Sequence, residues 1–250
     1  MRTIISSATH KGTRDYQEDR FVVDVNSDGI LLAVYDGHGG AECSEYLRAN
    51  TLAAFNAVAD NPALPVIGMK LKGMFEWLAV RTKEFESGST GTIAYIPPAL
   101  DKVYVGVLGD SPAIVKLADG QFWIAPDHNV RSNPREVQLA KERGGMVFNG
   151  YLYGTRFSSP GLQMSRAFGD CESDVLLREP EVFELPIGKD SFVLVGTDGL
   201  FDPSHRSSES AKEIAALADI ATNEAKNLVN YSVQKPTNDN VTAILVRITE

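Results

Sequence analysis

The spacing of apolar residues along the chain predicts β-hairpins and helices that do not alternate as a strict βαβ repeat. Two apolar runs joined by the turn sequence "NSDG" predict a β-hairpin over residues 20–36. Apolar positions then recur at helical spacing from Ala41 to about Asp60, where "NP" ends the pattern. A second amphipathic helix is indicated by Leu71, Met74, Phe75, Leu78 and Phe85.

The remainder of the chain is dominated by short strand patterns separated by turns. "SNPREVQLAKERGG", residues 132–145, predicts a helix, because Pro134 suits the first turn and Gly144 suits the end. "MVFNGYLY", residues 146–153, predicts a hairpin with an Asn-Gly turn. One or two helices are expected within residues 207–233. Strands are expected at residues 92–96, 102–109, 113–117, 121–125, 182–187, 191–196 and 240–248.

This order of elements predicts an α+β fold. Strands come first, then two helices, a long run of strands, further helices and a last strand. Such an order favours antiparallel sheets with helices packed on them over a doubly wound parallel sheet. The chain has 250 residues, of which 43% are hydrophobic, and no long Pro/Ser/Gly-rich linker divides it. We therefore expect a single domain over residues 1–250 with one substantial core.

Charge and composition narrow the expected partners and location. Acidic residues exceed basic residues by 33 to 24, so an acidic surface should repel nucleic acids and anionic membranes. No apolar run is long enough for a signal peptide or a membrane span, and no additional domain, anchor or regulatory tail is expected. Cys43 and Cys171 lack the spacing of a metal site. We expect two reduced thiols in a cytoplasmic protein without nucleic-acid or membrane partners.

Acidic residues recur where the predicted strands begin or end. Asp commonly begins turns, which would explain any single case. The repetition at several apolar strand ends instead suggests carboxylates that converge on a fixed point. Converging carboxylates repel one another unless a cation lies among them, and an all-oxygen ligand set suits Mg²⁺ or Mn²⁺ better than zinc. The acids in question are Glu18, Asp19, Asp36, Asp110, Asp198, Asp202 and Asp239.

Seven motifs carry a resemblance to a known family. They are "GTRDYQED", "YDGHGG", "GSTGT", "VGVLGDS", "SRAFGD", "VGTDGLFD" and "NDNVTAILV". In this order they resemble the metal-dependent Ser/Thr protein phosphatases of type 2C, the PPM family, from about Ser6 to Arg247. The resemblance implies a four-layer αββα fold, in which helices flank a central sandwich of two antiparallel sheets. It also implies a two-metal cleft at one end and a variable, flap-like segment at about residues 150–165.

The resemblance assigns ligands for two metal ions, Mn²⁺ or Mg²⁺. Asp36 matches the aspartate that bridges both ions. The backbone carbonyl of Gly37 and the carboxylate of Glu18 match ligands of one ion, and a residue without a side chain allows the backbone to approach closely. Asp198 and Asp239 match ligands of the other ion.

Some family members bind a third, weaker metal ion. Asp110 and Asp202 match its ligands, sometimes together with Asp198. The family usually has arginine after "GDS", whereas this chain has Pro112. The exchange removes a charge and a hydrogen-bond donor near Asp110, so the resemblance is weaker at the third ion than at the first two.

The same resemblance implies a catalytic mechanism for phosphoserine and phosphothreonine in a phosphorylated protein substrate. Water activated by two metal ions would attack phosphorus directly, without a phosphoenzyme. Arg14 matches the residue that binds the substrate phosphate, and a planar guanidinium suits two phosphate oxygens. Asp19 matches a residue that hydrogen-bonds metal-bound water, and His38 matches a general acid near the leaving oxygen. A monomer is expected.

Other classes of phosphatase fit the sequence less well. A cysteine-dependent enzyme needs Cys followed by five residues and Arg, but Arg48 comes one position too early after Cys43 and Arg178 one too late after Cys171. A dinuclear metallophosphoesterase would use His38 as a metal ligand and would need a later Gly-Asn-His, which is absent. A pseudophosphatase that only binds phosphoproteins remains the non-enzyme alternative. The presence of every matched acid favours an active enzyme.

Three polar residues in the motifs and loops are expected to be structural. His128 in "PDHNV" should order a loop. Arg166 and Asp170 of "SRAFGD" should form buried polar contacts. None of the three enters the predicted catalytic set.

Overall fold

Two five-stranded antiparallel sheets form the centre of the molecule. The computed structural model describes residues 1–59, 61–64, 66–155, 161–201, 209–235 and 238–250. The first sheet has the order β1 (Arg2–His10), β15 (Val241–Thr249), β14 (Phe192–Gly196), β8 (Ala113–Lys116) and β9 (Phe122–Ile124). The second has the order β13 (Glu181–Pro186), β7 (Lys102–Leu108), β6 (Gly91–Ile96), β3 (Gly29–Tyr35) and β2 (Arg20–Asn26).

The remaining elements are a small sheet, a hairpin and helices. The small sheet joins β12 (Phe168–Gly169), β5 (Gly88–Ser89) and β4 (Gly37–His38), and the hairpin joins β10 (Met146–Phe148) to β11 (Tyr151–Tyr153). The helices are α1 (Glu42–Ala59), α2 (Ile67–Thr82), α3 (Pro134–Glu142), α4 (Asp198–Phe201), α5 (Glu209–Asp219) and α6 (Ala225–Val233). No helix in the described ranges is both long enough and apolar enough to cross a membrane.

Strand periodicity divides the core between the two faces of each sheet. In β3, Leu32 and Val34 point into the space between the two sheets, where they pack with residues of the first sheet such as Val195. Leu31 and Ala33 point to the opposite face, against α1 and α2. Successive side chains of a strand face opposite sides, so a strand buried on both faces is apolar throughout.

Helices cover the outer face of both sheets. Helices α1 and α2 contact the second sheet, and α4, α5 and α6 contact the first. Phe192 and Leu194 of β14 pack with Leu228 of α6, on the side away from the other sheet. The predicted αββα sandwich is therefore confirmed. Because the helices cover the faces of the sheets and not the strand ends, polar residues can lie at the strand ends at one end of the molecule.

The structure differs from the sequence-based expectation at the shortest and most polar strands. Strand β1 was not predicted, because "SSAT" at its centre lacks a clear apolar alternation, yet it pairs along its whole length with β15. The two-residue strands β4, β5 and β12 were not predicted either. The region 207–233 contains two helices, and residues 207–208 lie outside the described residues. The predicted hairpins at 20–36 and 146–153 are confirmed.

Candidate active site

A polar cleft of about 480 Å³ lies where strands of both sheets end. Strands β3 and β7 of the second sheet lead to Asp36 and Asp110, while Asp198 and Asp239 lie near the ends of β14 and β15. The predicted site residues that line the cleft are Arg14, Glu18, Asp36, Gly37, His38, Asp110, Asp198 and Asp239. The fold thus brings together residues of which the most distant are more than two hundred positions apart in the sequence.

Asp36 is the centre of a group of mutually repelling carboxylates. Burial raises the pKa of Asp36 well above its usual value, and the charges of Asp19, Asp198, Asp239 and Asp110 raise this pKa further. A buried carboxylate surrounded by other carboxylates is unfavourable when ionised, unless a cation compensates it. We refer to Glu18, Asp19, Asp36, Asp110, Asp198 and Asp239 as the acid group.

The backbone at Asp36 and Gly37 is held in place by its neighbours. The amide of Asp36 donates to Thr90 Oγ1 at 3.2 Å, and its carbonyl accepts from the Thr90 amide at 2.9 Å. Gly37 pairs with Ser89 in the small sheet. A Cβ atom at Gly37 would lie 2.7 Å from the carbonyl oxygen of Glu18, so only glycine allows these two segments to lie side by side.

Asp19 lies behind the cleft and joins the two sheets. Its Oδ2 accepts hydrogen bonds from Thr197 Oγ1 at 3.0 Å and from Thr242 Oγ1 at 2.7 Å. Burial raises the pKa of Asp19 to about 7 despite these two hydrogen bonds, and the charge of Asp239 acts in the same direction. Thr197 and Thr242 were not singled out from the sequence, although both lie inside the quoted motifs "VGTDGLFD" and "NDNVTAILV".

Arg14 provides a guanidinium at the edge of the cleft. Its Nη2 lies 3.1 Å from Oδ2 of Asp239, and its Nη1 donates to the hydroxyl of Tyr16 at 3.1 Å. The guanidinium carbon lies 5.8 Å from the centre of the Tyr16 ring, and Nε donates to the carbonyl of Asn238. About one third of the side chain is exposed. The charge is therefore held in place while remaining accessible to an anion in the cleft.

His38 lines the cleft and contacts an acid from a distant loop. Its Nε2 lies 3.0 and 2.9 Å from the two carboxylate oxygens of Asp170. Burial lowers the pKa of His38, but the hydrogen bond and charge of Asp170 outweigh burial and leave this pKa above its usual value. The expectation that Asp170 forms a buried polar contact was incomplete, because its partner is the predicted general acid.

The predicted third metal site is only partly described. Asp110 is buried, and its Oδ2 accepts a hydrogen bond from Asn129 Nδ2 at 2.8 Å. Asp202, the other predicted ligand, lies outside the described residues. The structure therefore adds a neighbour of Asp110 without testing the third ion.

The flap-like segment borders the cleft on one side. Tyr151, Leu162, Gln163 and Met164 are among the lining residues. Gln163 Nε2 donates to the hydroxyl of Tyr151 at 3.2 Å, and Arg131 Nη1 donates to Gln163 Oε1 at 3.1 Å. Residues 156–160 of the same segment lie outside the described residues. The described part forms one wall of the cleft, with both polar and apolar side chains.

The chemistry of the acid group fits hard divalent cations. Its donors are oxygens only, and the repulsion that raises the pKa of Asp36 is relieved by a positive ion. Among the residues that the structure describes, no three His, Cys, Asp or Glu side chains are arranged as a preformed metal site. The implied ligand set also includes the carbonyl of Gly37, and Asp239 is paired here with Arg14. The donor types fit Mg²⁺ or Mn²⁺, while the carboxylates are not preassembled around one point.

The chain is similar over most of its length to known phosphatases. A family model described as protein phosphatase 2C matches residues 6–241. "Probable protein phosphatase 2C 27" of Arabidopsis thaliana is 26% identical over 270 aligned positions, covering 96% of this chain and 67% of the relative. "Probable protein phosphatase 2C 11" of the same plant is 30% identical over 249 positions, covering 95% of this chain and 64% of the relative. The chain thus spans about two thirds of the length of these relatives.

The fold is also similar to that of a solved phosphatase structure. The serine-threonine phosphatase 2C from Toxoplasma gondii superposes with a TM-score of 0.76 at 25% identity, covering 97% of this chain and 94% of that one. The expected class of enzyme for this domain, a protein phosphatase, is thereby confirmed. From its sequence motifs, its sandwich fold and the family match, we conclude that the chain belongs to the protein phosphatase 2C family.

Proposed function

We propose that the chain catalyses the metal-dependent hydrolysis of phosphoserine and phosphothreonine in proteins, without a phosphoenzyme. The observation that carries this proposal is the position of Asp36, which lines the cleft and lies among four further carboxylates. The same cleft presents the guanidinium of Arg14 and the imidazole of His38. Carboxylates that repel one another suit the binding of divalent metal ions. A guanidinium and a proton donor beside them suit the binding of a phosphoryl group.

We infer that Mn²⁺ or Mg²⁺ would be held by Glu18, Asp36, the Gly37 carbonyl, Asp198 and Asp239. When bound, such cations make water acidic enough to act as a nucleophile and stabilise negative charge on phosphoryl oxygens. Asp110 and Asp202 are proposed for a third, weaker ion. The support is the all-oxygen chemistry of these residues and the family match.

The residues of the chain itself would bind the substrate, move a proton and position the site. Arg14 would bind two phosphoryl oxygens through its planar guanidinium, since it is already at the edge of the cleft. His38 would donate a proton to the seryl or threonyl oxygen as the bond to phosphorus breaks, because an alkoxide is a poor leaving group. Asp19, held by Thr197 and Thr242, would orient the water from behind the cleft.

Hydrolysis of a phosphothreonine peptide tests the proposal. We expect EDTA to abolish turnover, and added Mn²⁺ or Mg²⁺ to restore it. Acid-quenched reactions with a ³²P-labelled substrate should show no labelled protein. Full turnover in EDTA would exclude the metal-dependent reaction, and tight binding of the phosphopeptide without turnover would indicate a pseudophosphatase. A single catalytic domain, a monomer, a cytoplasmic location and the absence of nucleic-acid and membrane partners remain predictions.

A further inference from the structure

The small sheet of β4, β5 and β12 brings His38 to Asp170. His38 of β4 pairs with Gly88 of β5, and Gly88 pairs on its other side with Gly169 of β12. Asp170 follows Gly169 directly, so the two side chains meet across the same glycine although they are 132 positions apart in the sequence. This sheet has two residues in each strand. It places Phe168 in the core against Phe75, and it brings His38 to Asp170.

Gly88 lacks a side chain at the point where the imidazole and the carboxylate meet. A Cβ atom at Gly88 would collide with Oδ2 of Asp170 and with Nε2 of His38. The two groups therefore lie directly over the backbone of β5. Any residue larger than glycine at position 88 would push the two groups apart, so the contact between His38 and Asp170 requires this glycine.

The backbone around Asp170 is held in an uncommon conformation. Asp170 has a φ angle of +50°, which is the left-handed region that residues other than glycine rarely adopt. Its amide donates to the carbonyl of Ser87 at 3.2 Å, and Arg178 Nη2 donates to the carbonyl of Gly169 at 2.5 Å. The Asp170 side chain is 11% exposed. Strained backbone at a functional cleft, fixed by several hydrogen bonds, is typical of residues whose direction matters.

We propose that Asp170 is a positioning residue for the proton donation by His38. This inference rests on the proposed function. A carboxylate only accepts hydrogen bonds, so Nε2 of His38 must carry the proton that joins it to Asp170. That contact fixes the plane of the ring and leaves Nδ1 as the atom that can reach the substrate. Asp170 thus determines which ring nitrogen donates and in which direction.

The proton transfer is balanced without any further reactant. As the water oxygen forms a new bond to phosphorus, the bond from phosphorus to the seryl or threonyl oxygen breaks, and its electron pair stays on that oxygen. The proton on Nδ1 of His38 moves to that oxygen and forms the product hydroxyl. The ring is left neutral, with the Nε2 proton still donated to Asp170. Asp170 neither gains nor loses a proton, which is why its role is positioning and not acid catalysis.

The kinetic test compares two substrates with different leaving groups. Nitrophenolate can leave without protonation, whereas a threonyl oxygen cannot. We expect Asp170→Asn to lower kcat/KM for a phosphothreonine peptide by roughly 10- to 100-fold, mainly through kcat, and to lower it for p-nitrophenyl phosphate much less. His38→Gln should show the same selectivity with a larger loss. Adding Asp170→Asn to His38→Gln should cause little further loss, because both changes remove one function.

A matched control lies in the same loop. Asp174 accepts a hydrogen bond from the backbone amide of Thr155 at 3.0 Å. Like Asp170, it is an aspartate that can be replaced by asparagine. We expect Asp174→Asn to affect both substrates equally and weakly. If Asp170→Asn instead slows both substrates equally, or adds its full effect to His38→Gln, Asp170 is a structural brace and the proposal is wrong.

The tautomer of His38 gives a test that does not depend on turnover. The chain has four histidines, so the His38 signals in a ¹⁵N-histidine NMR spectrum can be identified by their loss in His38→Gln. At a pH high enough for the His38 ring to be neutral, we expect the Nε2–H form in the wild type and a mixture of tautomers in Asp170→Asn. An unchanged tautomer in that variant would overturn the positioning role. If His38→Gln slows both substrates equally, the proposed general acid is wrong, and the role of Asp170 is then rejected with it.

Discussion

Two groups of buried or partly buried carboxylates lie in the described part of this molecule, and they differ in what compensates their charge. In the acid group, the charges that most raise the pKa of Asp36, after burial, are other carboxylates. In the second group, Glu136 of α3 is also buried and would have a raised pKa from burial alone, but hydrogen bonds from Arg166 and Ser165 leave its pKa lowered. In the second group the cation binds the buried acid Glu136 itself, whereas in the first group Arg14 binds Asp239 and the charges that raise the pKa of Asp36 are all carboxylates.

The second group is an ion network formed by Glu136, Arg166 and Glu181, with the ring of His128 beside it. Arg166 binds Glu136 with two nitrogens, Nη2 to Oε1 at 2.6 Å and Nε to Oε2 at 3.1 Å. Burial lowers the pKa of His128 to about 4, and the charge of Arg166 acts in the same direction, so the ring is neutral at pH 7. Its Nδ1 accepts from the Gly109 amide at 3.1 Å, which agrees with the expected role in ordering a loop.

The comparison teaches that burial of a charge does not by itself indicate function. Burial penalises the ionised form of both Glu136 and Asp36, but only the ionised form of Glu136 is stabilised by hydrogen bonds from Arg166 and Ser165. A protein can tolerate uncompensated carboxylates when a ligand that binds them is present during folding or function. The two groups should therefore respond differently to mutation, to metal and to pH.

The largest expected effect is the loss of activity when the centre of the acid group is neutralised. Asp36→Asn should lower phosphopeptide turnover by roughly 10³-fold or more, since metal-ion stabilisation is worth several kcal/mol. The free energy of unfolding in EDTA should stay the same or rise, because the removed charge was uncompensated. Urea unfolding and turnover at saturating Mn²⁺ measure both. Asp101→Asn, at an exposed turn, is the control. Wild-type turnover in Asp36→Asn would remove the acid group from the mechanism.

Neutralising the cation of the ion network should have the opposite profile. Arg166→Met should lower the free energy of unfolding by about 3–5 kcal/mol, because Glu136 is left buried and unpaired. The double variant Arg166→Met/Glu136→Gln should recover most of that loss. Urea unfolding measures the free energy of unfolding of both variants. As a control, the Mn²⁺ concentration for half-maximal turnover should be the same in the double variant as in the wild type. A loss below about 1 kcal/mol in the single variant would contradict the difference between the two groups.

Added metal should stabilise the protein through the acid group only. At a free Mn²⁺ concentration of 100 times Kd, the free energy of unfolding should rise by about 2.7 kcal/mol. The rise should disappear in Asp36→Asn and persist in Arg166→Met/Glu136→Gln. Unfolding curves in EDTA and in Mn²⁺ provide the measurement, with Kd taken from calorimetry. An equal rise in Asp36→Asn would place the stabilising ion elsewhere on the protein.

The sequence predicted those parts of the fold that have a local signal. The hairpin at 20–36 has period-two apolar residues and a turn, whereas β1 is a strand only because β15 lies beside it. The strands of the small sheet consist of Gly37, His38, Gly88, Ser89, Phe168 and Gly169, and two residues are too few for any periodicity. Pairing with distant segments, and not local preference, makes these residues strands.

The same distinction applies to the site. Asp36, Asp198 and Asp239 could be proposed from strand ends and motifs, because apolar strands fix the position of the residue that follows or precedes them. The partners of Asp19 could not, since Thr242 is 223 positions away. Glu136 also gave no signal, because an acid in a polar nine-residue helix is expected to face solvent and this one faces Arg166 instead. Contacts across the fold decide which acids are compensated.

The smallest expected effect is a difference in pH dependence between the two groups. Burial raises the pKa of Asp19 from 3.8 to about 7. Between pH 3.8 and about pH 7, the folded protein therefore holds a proton on Asp19 that the unfolded chain has lost. The contribution of Asp19 to stability is therefore present at low pH and is lost as pH rises towards 7. For one proton, the slope is about 1.4 kcal/mol per pH unit. His128 has the opposite sign, because its lowered pKa keeps it neutral while the unfolded chain is protonated.

The two contributions overlap in one pH window, so a difference between variants is needed to separate them. We would measure urea unfolding in EDTA between about pH 4.5 and 6.5, below the raised pKa of Asp19 and above the lowered pKa of His128. The free energy of unfolding of the wild type, minus that of Asp19→Asn, should fall by about 1.4 kcal/mol per pH unit. The same subtraction with Asp101→Asn, at an exposed position, is the control. A difference that rises with pH would mean that the folded state favours the ionised form of Asp19, and the acid group would then be compensated like the ion network.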